Sequence, residues 1–166
     1  MKLTKVLFAV VVLASMAGVA LVAQQLAAPG AGMLAAAQKF LGSLSDEQKT
    51  RATFAYDDKE RTNWNFVPLQ DTKTRQSTRK GLPLEAMTQA QKKAALDLVK
   101  AGTSEKGNVA ATTIMSLEAI LFEQEKKGAM IRNPDWYFFT VFGTPSKAGK
   151  WGWRVEGHHL SLNFTM

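Results

Sequence analysis

The chain's only two histidines stand side by side in the segment Trp151-Gly152-Trp153-Arg154-Val155-Glu156-Gly157-His158-His159-Leu160-Ser161-Leu162. Imidazole handles protons near neutral pH and binds metals, and a nearby carboxylate orients it for either task. Glu156 with His158 or His159 is therefore the first candidate for acid–base chemistry or for part of a metal site. In one regular strand Arg154, Glu156 and His158 share a face with Leu160, Leu162 and Phe164, while His159, Ser161 and Asn163 face the other way. Adjacent histidines on opposite faces cannot share an ion unless the backbone bends, and Gly157 is placed to supply a bulge. The plainer reading makes one histidine a hydrogen-bonded sheet residue and leaves the other at a solvent edge. No HExxH spacing accompanies them, so the zinc case is thin.

A second group, Asp57-Asp58-Lys59-Glu60-Arg61, places charges of both signs just ahead of Trp64. Asp57, Asp58 and Glu60 could hold a cation, and Asp58 with Arg61 could join a catalytic set. The spacing and the glycine of an EF-hand loop are missing. A solvated turn in which Arg61 pairs locally accounts for the same residues. A third group, Lys73, Arg75, Arg79 and Lys80, could bind carboxylate or phosphate, with arginine favouring two-pronged contacts. Trp64 joins Arg75, Arg79 and Lys80 as a candidate ligand-binding residue. The aromatics Trp136, Tyr137, Phe138, Phe139, Phe142, Trp151 and Trp153 either form a sugar-binding face or fill a core between sheet and helices. No nucleophile elbow, P-loop or dinucleotide fingerprint is present, so no cofactor, metal or oligomeric state is assigned.

The elements that must position these groups follow from periodicity. Met33, Leu34, Ala37, Phe40, Leu41 and Leu44 recur at helical spacing. Ser45-Asp46-Glu47-Gln48 reads as a capping box opening a helix to about Tyr56, and Thr88-Gln89-Ala90-Gln91 as a second box opening a helix that Gly102 caps. A further helix is predicted over about Asn108–Lys127, with Ile114, Leu117, Ile120 and Leu121 as its apolar stripe. Asn63–Val67 alternates like a strand, with Trp64 and Phe66 on one face. Leu69–Lys80 reads as a polar loop and Gly81–Leu84 as a turn. After Pro134 the chain turns to strand formers: Trp136–Phe142, a hairpin loop at Lys147–Lys150, and an extended run over Trp151–Thr165 interrupted at Gly157. Helices first and strands last, without βα alternation, imply an α+β fold: N-terminal helices packed on a C-terminal antiparallel sheet.

The 166 residues carry a net charge of +7 and no cysteine. Disulfides, thiolate catalysis and Cys-ligated metals are thereby excluded. Lys2 and Lys5, the apolar run Val6–Val22 and the small residues that follow have the order of a signal peptide, here residues 1–23, with an uncleaved anchor as the competing reading. A secreted or periplasmic protein is expected, with an Ala/Pro/Gly linker over 24–32 and a single α+β domain over 33–166 that stops inside a strand, as a truncated domain would. No second run is long enough to span a bilayer. The basic excess favours a small-molecule or anionic ligand, and no aromatic-interleaved basic stripe calls for nucleic acid.

Several blocks carry a resemblance. Lys39-Phe40-Leu41-Gly42-Ser43-Leu44-Ser45-Asp46-Glu47-Gln48, Asp57-Asp58 with Glu60-Arg61, Asn63-Trp64 to Pro68 and Arg79-Lys80-Gly81-Leu82-Pro83-Leu84 are among them. Ala111-Thr112-Thr113-Ile114-Met115, Phe142-Gly143-Thr144-Pro145-Ser146 and Trp151 to Thr165 complete the set. Together they resemble the domain of unknown function 3500 family of exported bacterial proteins. The resemblance implies no activity. It does imply members that continue well past Met166, which makes this chain the N-terminal half, and a histidine after the tryptophan where this sequence has Asn65. The expected function is a metal-assisted or hydrolase-like enzyme, or alternatively a non-catalytic binding module for an anionic or carbohydrate ligand.

Overall fold

A computed structural model describes residues 29–125, 128 and 130–166. The leader expected over 1–23 lies outside the described residues. The first helix, α1 (Pro29–Ser43), begins inside the stretch expected to be linker. Proline at a first helical position surrenders only an amide that the helix would leave unpaired, and its fixed φ suits the turn. Met33, Ala37 and Phe40 form its buried face, and Leu44, just past its end, is buried with them.

Both capping boxes form. At α2 (Asp46–Ala52) the Ser45 hydroxyl accepts from the Gln48 amide, and Gln48 Oε1 accepts from the Ser45 amide at 3.0 Å. At α3 (Gln89–Gly102) Thr88 and Gln91 repeat the exchange. The two glutamines also bond each other: Gln91 Nε2 donates to Gln48 Oε1 at 2.8 Å and to Ser43 O, and Gln48 Nε2 donates to Ala86 O. One pair of amides thus ties two helix starts to the end of α1.

The helix expected to reach Tyr56 stops at Ala52, where Thr53–Phe54 become strand β1. Strand β2 is Leu82–Pro83, followed by a 3-10 turn over Leu84–Ala86. Helix α4 is Glu105–Gln124, capped by Ser104. The sheet is completed by β3 (Phe138–Phe142), β4 (Gly152–Gly157) and β5 (Leu160–Thr165), in the order β1-β3-β4-β5 with β2 also on β3. All pairs are antiparallel except β1 with β3. The α+β architecture read from element order is the one observed.

Alternation along the strands sorts the sheet into two faces. Phe139, Val141, Trp153, Val155 and Leu160 join Phe40, Leu98 and Val99 in the apolar core under the helices. The opposite face carries Thr140, Arg154 and Glu156, all buried, beneath the irregular segment 57–80. We call that segment the strap. It contains a 3-10 turn, Lys59–Thr62, and an isolated bridge between Gln70 and Ser77, but the strand expected at Asn63–Val67 does not form. Trp64 and Phe66 are 59% and 62% exposed, so their alternation does not mark a buried face.

Three further expectations are corrected. The buried face of α4 is Ala111, Met115 and Glu118, while Leu117 and Ile120 are exposed. Gly102 ends α3 without entering the left-handed region. A Cβ there would lie 2.6 Å from Trp153 Cζ2, against the stacked rings of Trp153 and Phe164, so the glycine answers to close packing. Gly157 is regular strand pairing with Leu160, and the ring of Tyr137 occupies the space a side chain would need. The bend expected at Gly157 falls one residue later. His158 and His159 are themselves the two-residue turn between β4 and β5, with His159 at φ 56°.

Candidate active site

A tight turn at the end of a sheet projects its side chains away from the ladder, which is how two adjacent histidines escape opposite faces. Their rings sit against each other with centroids 3.8 Å apart. His159 is exposed, and its amide donates to Phe66 O at 3.1 Å, which pins the turn to the strap. His158 points inward. Its Nδ1 meets Glu118 Oε1, a carboxylate buried on α4. Arg132 Nη1 stands 3.4 Å from the same imidazole, while its Nε donates to Glu125 Oε2 at 2.9 Å. Tyr137, under the turn, directs its hydroxyl at His158 O and Ile114 O. Burial first, and the charge of Glu118 second, hold that phenol protonated well beyond the ordinary tyrosine range.

Beside this group lies a cavity of about 10 Å³ lined by Ser77, Arg79, Glu118, Asn133, Trp136 and His158, among others. That volume accommodates about one water molecule. The hydroxyl of Ser77, one of these lining residues, donates to Leu69 O.

Glu156 belongs to a different cluster. It accepts the Asn65 amide at 2.8 Å, pairs with Arg79, and stands 3.1 Å from Arg154 Nε at an angle short of a hydrogen bond. Arg154 continues the chain of charges: Nη2 donates to Glu60 Oε1 at 2.6 Å, and Nη1 donates to Glu60 O and Asn63 O. Arg79 Nη2 donates to Val67 O at 2.7 Å. Two arginines and two glutamates thus form a chain of alternating charge, Arg79 and Glu60 from the strap and Glu156 and Arg154 from the sheet. Burial, reinforced by the like charge of Arg154 and partly opposed by Glu60, pushes the Arg79 guanidinium down to about 10.

The residues singled out from sequence are therefore distributed. His158 meets a carboxylate, but that carboxylate is Glu118; Glu156 lies in the buried tetrad with Arg79. Asp58 caps the 3-10 turn by accepting from the Glu60 amide. Arg61 donates through Nε to Tyr56 O and lies over the Tyr56 ring. Arg75 takes a positive φ of 58° and donates to Gly128 O. Lys80 and Trp64 are exposed. Trp151 and Trp153 are buried, so most of the suggested aromatic face is core. Among the described residues no three histidine, aspartate or glutamate side chains converge as a metal site, and no helix is long and apolar enough to cross a membrane.

Glu118 and Arg132 escaped sequence reading. The signal for Glu118 was the i, i+4, i+7 spacing of Ala111, Met115 and Glu118, obscured by the more apolar Leu117 and Ile120.

The fold and this constellation define an α+β protein with an inward-facing carboxylate–imidazole pair at a hairpin turn. The chain belongs to the family described as protein of unknown function (DUF3500), whose family model matches residues 27–166. That match lends no support to the expectation that the chain is an N-terminal half. No curated protein and no solved structure matches the chain.

Proposed function

We propose that this is an exported, hydrolase-like enzyme in which His158 handles the proton and Glu118 orients it. The observation that carries the reading is the buried Glu118 carboxylate placed at His158 Nδ1. A carboxylate there holds the Nδ1–H tautomer and leaves the Nε2 lone pair as a base. The adjoining cavity has room for one water beside His158, and Arg79, which also lines it, supplies positive charge toward a developing oxyanion. Export rests on the order of charge, apolar run and small residues at the N-terminus.

The test is a panel of chromogenic esters, amides and phosphoesters, with wild type, His158→Asn and Glu118→Gln compared. Loss of proton handling lowers turnover by about 10²–10⁴-fold in the histidine variant. Nitrogen NMR of His158 gives a readout independent of substrate: a proton on Nδ1 is expected. Turnover indifferent to His158→Asn, or a bare Nδ1, defeats the reading.

A further inference from the structure

The strap carries a second feature that the acid–base pair does not use. Between the strap and strand β5 runs an open groove of about 360 Å³, lined by Arg61, Thr62, Trp64, Asn163 and Thr165 among others. Trp64 lines it while keeping 59% of its surface in solvent, at the cost of leaving a large apolar ring wet. Of the four tryptophans it is the only exposed one.

Arg61 is prepared for a ligand. Its Nε is spent on Tyr56 O and its Cζ lies 4.6 Å from the centroid of the Tyr56 ring, so the guanidinium is oriented. Its two terminal nitrogens have no hydrogen-bond partner among the described residues. A fixed fork with both prongs unused is the arrangement that grips a carboxylate with two parallel bonds. The nearest acid of the same turn does not compete, because Glu60 is engaged by Arg154 through Oε1 and by Asn63 through Oε2. Asn163 is exposed and donates through Nδ2 to Ser161 Oγ, and with Thr62 and Thr165 it adds an amide and two hydroxyl side chains to the lining.

We propose that this groove binds a ring carrying a carboxylate, with the ring's apolar face on Trp64 and its carboxylate on Arg61. The same chemistry occurs in a uronic-acid saccharide and in an aromatic acid. The saccharide fits better, because the amide and two threonine hydroxyls have hydroxyl partners only in a sugar. The site is separate from the Glu118–His158 pair, so it stands or falls independently of the proposed reaction.

The test is a calorimetric titration of the full chain with tetragalacturonate, maltotetraose and benzoate. Expected is saturation by tetragalacturonate, weakened about tenfold or more in Trp64→Ala and in Arg61→Gln. Arg61→Lys keeps the charge but loses the fork and recovers only part of the affinity, which separates recognition from simple attraction. Unchanged melting in each variant shows that the strap has kept its place. Absence of saturation with any probe, equal affinity in wild type and both loss variants, or saturation by benzoate alone overturns the proposal.

Discussion

Replacing Glu156 by glutamine isolates the worth of one charge in the buried tetrad. The amide keeps the shape of the side chain and an oxygen to accept the Asn65 N–H, so packing and that bond are conserved. What changes is that, among the described residues, Arg79, 8% exposed, loses its one carboxylate partner, and Arg154, 1% exposed, keeps Glu60 alone. Unpairing a buried charge costs about 3–5 kcal/mol, because desolvation has already been incurred and is no longer offset. At about 3 °C per kcal/mol for a chain of this length, Tm should fall by roughly 10–15 °C. Urea denaturation followed by tryptophan emission measures the change directly, since Trp153 lies on the same strand as Glu156. Limited trypsinolysis adds a local readout: cleavage should appear first in the strap, which holds Lys59, Arg61, Lys73, Arg75 and Lys80. Adding Arg79→Met to Glu156→Gln removes one stranded cation and should restore part of the loss, giving a non-additive cycle. A loss below about 1 kcal/mol, or strict additivity, would show that the strap is not held by these charges.

Gly102→Ala gains helix propensity but drives a methyl into the Trp153–Phe164 stack; a net loss of about 1–3 kcal/mol is expected, with a changed near-ultraviolet spectrum as the check. Tyr137 gives a pH prediction. Its folded value is raised above the unfolded 10.0, so its contribution to stability is fully present below about pH 10 and is lost as pH rises from there toward the folded value, where only the unfolded chain ionises. Tyr137→Phe should therefore flatten the alkaline limb of a stability–pH profile; an unaltered limb assigns that loss to other groups.

Local chemistry was legible in the sequence. Ser45 to Gln48 and Thr88 to Gln91 need only neighbours three residues away, and both boxes form as read. The α+β order and the aromatic strands were legible for the same reason, since β propensity and alternation act over a few residues. What the sequence hid depends on distant partners. Trp64 and Phe66 alternate like a strand, yet no strand edge is there to receive them; the strap is held by Arg79, Arg154, Glu60 and Glu156 across the chain. The histidine turn was obscured because histidine is not a favoured turn residue and Gly157 drew the expected bend to itself. Glu118 was passed over because a carboxylate inside a helix ordinarily faces water, and only the imidazole of His158, forty positions later, makes its burial tolerable.

Strand β3 joins partners drawn from three regions of the chain: Thr53–Phe54, Leu82–Pro83 and the adjoining Gly152–Glu156. Only the last is a local pairing. The meander from Phe138 to Thr165 can therefore assemble with little loop entropy, whereas seating Thr53 against Val141 must wait for a very long loop to close. Maturation of this molecule should end with its earliest-synthesised strand, and a chain halted before that step would expose one flank of its most aromatic ribbon to self-association.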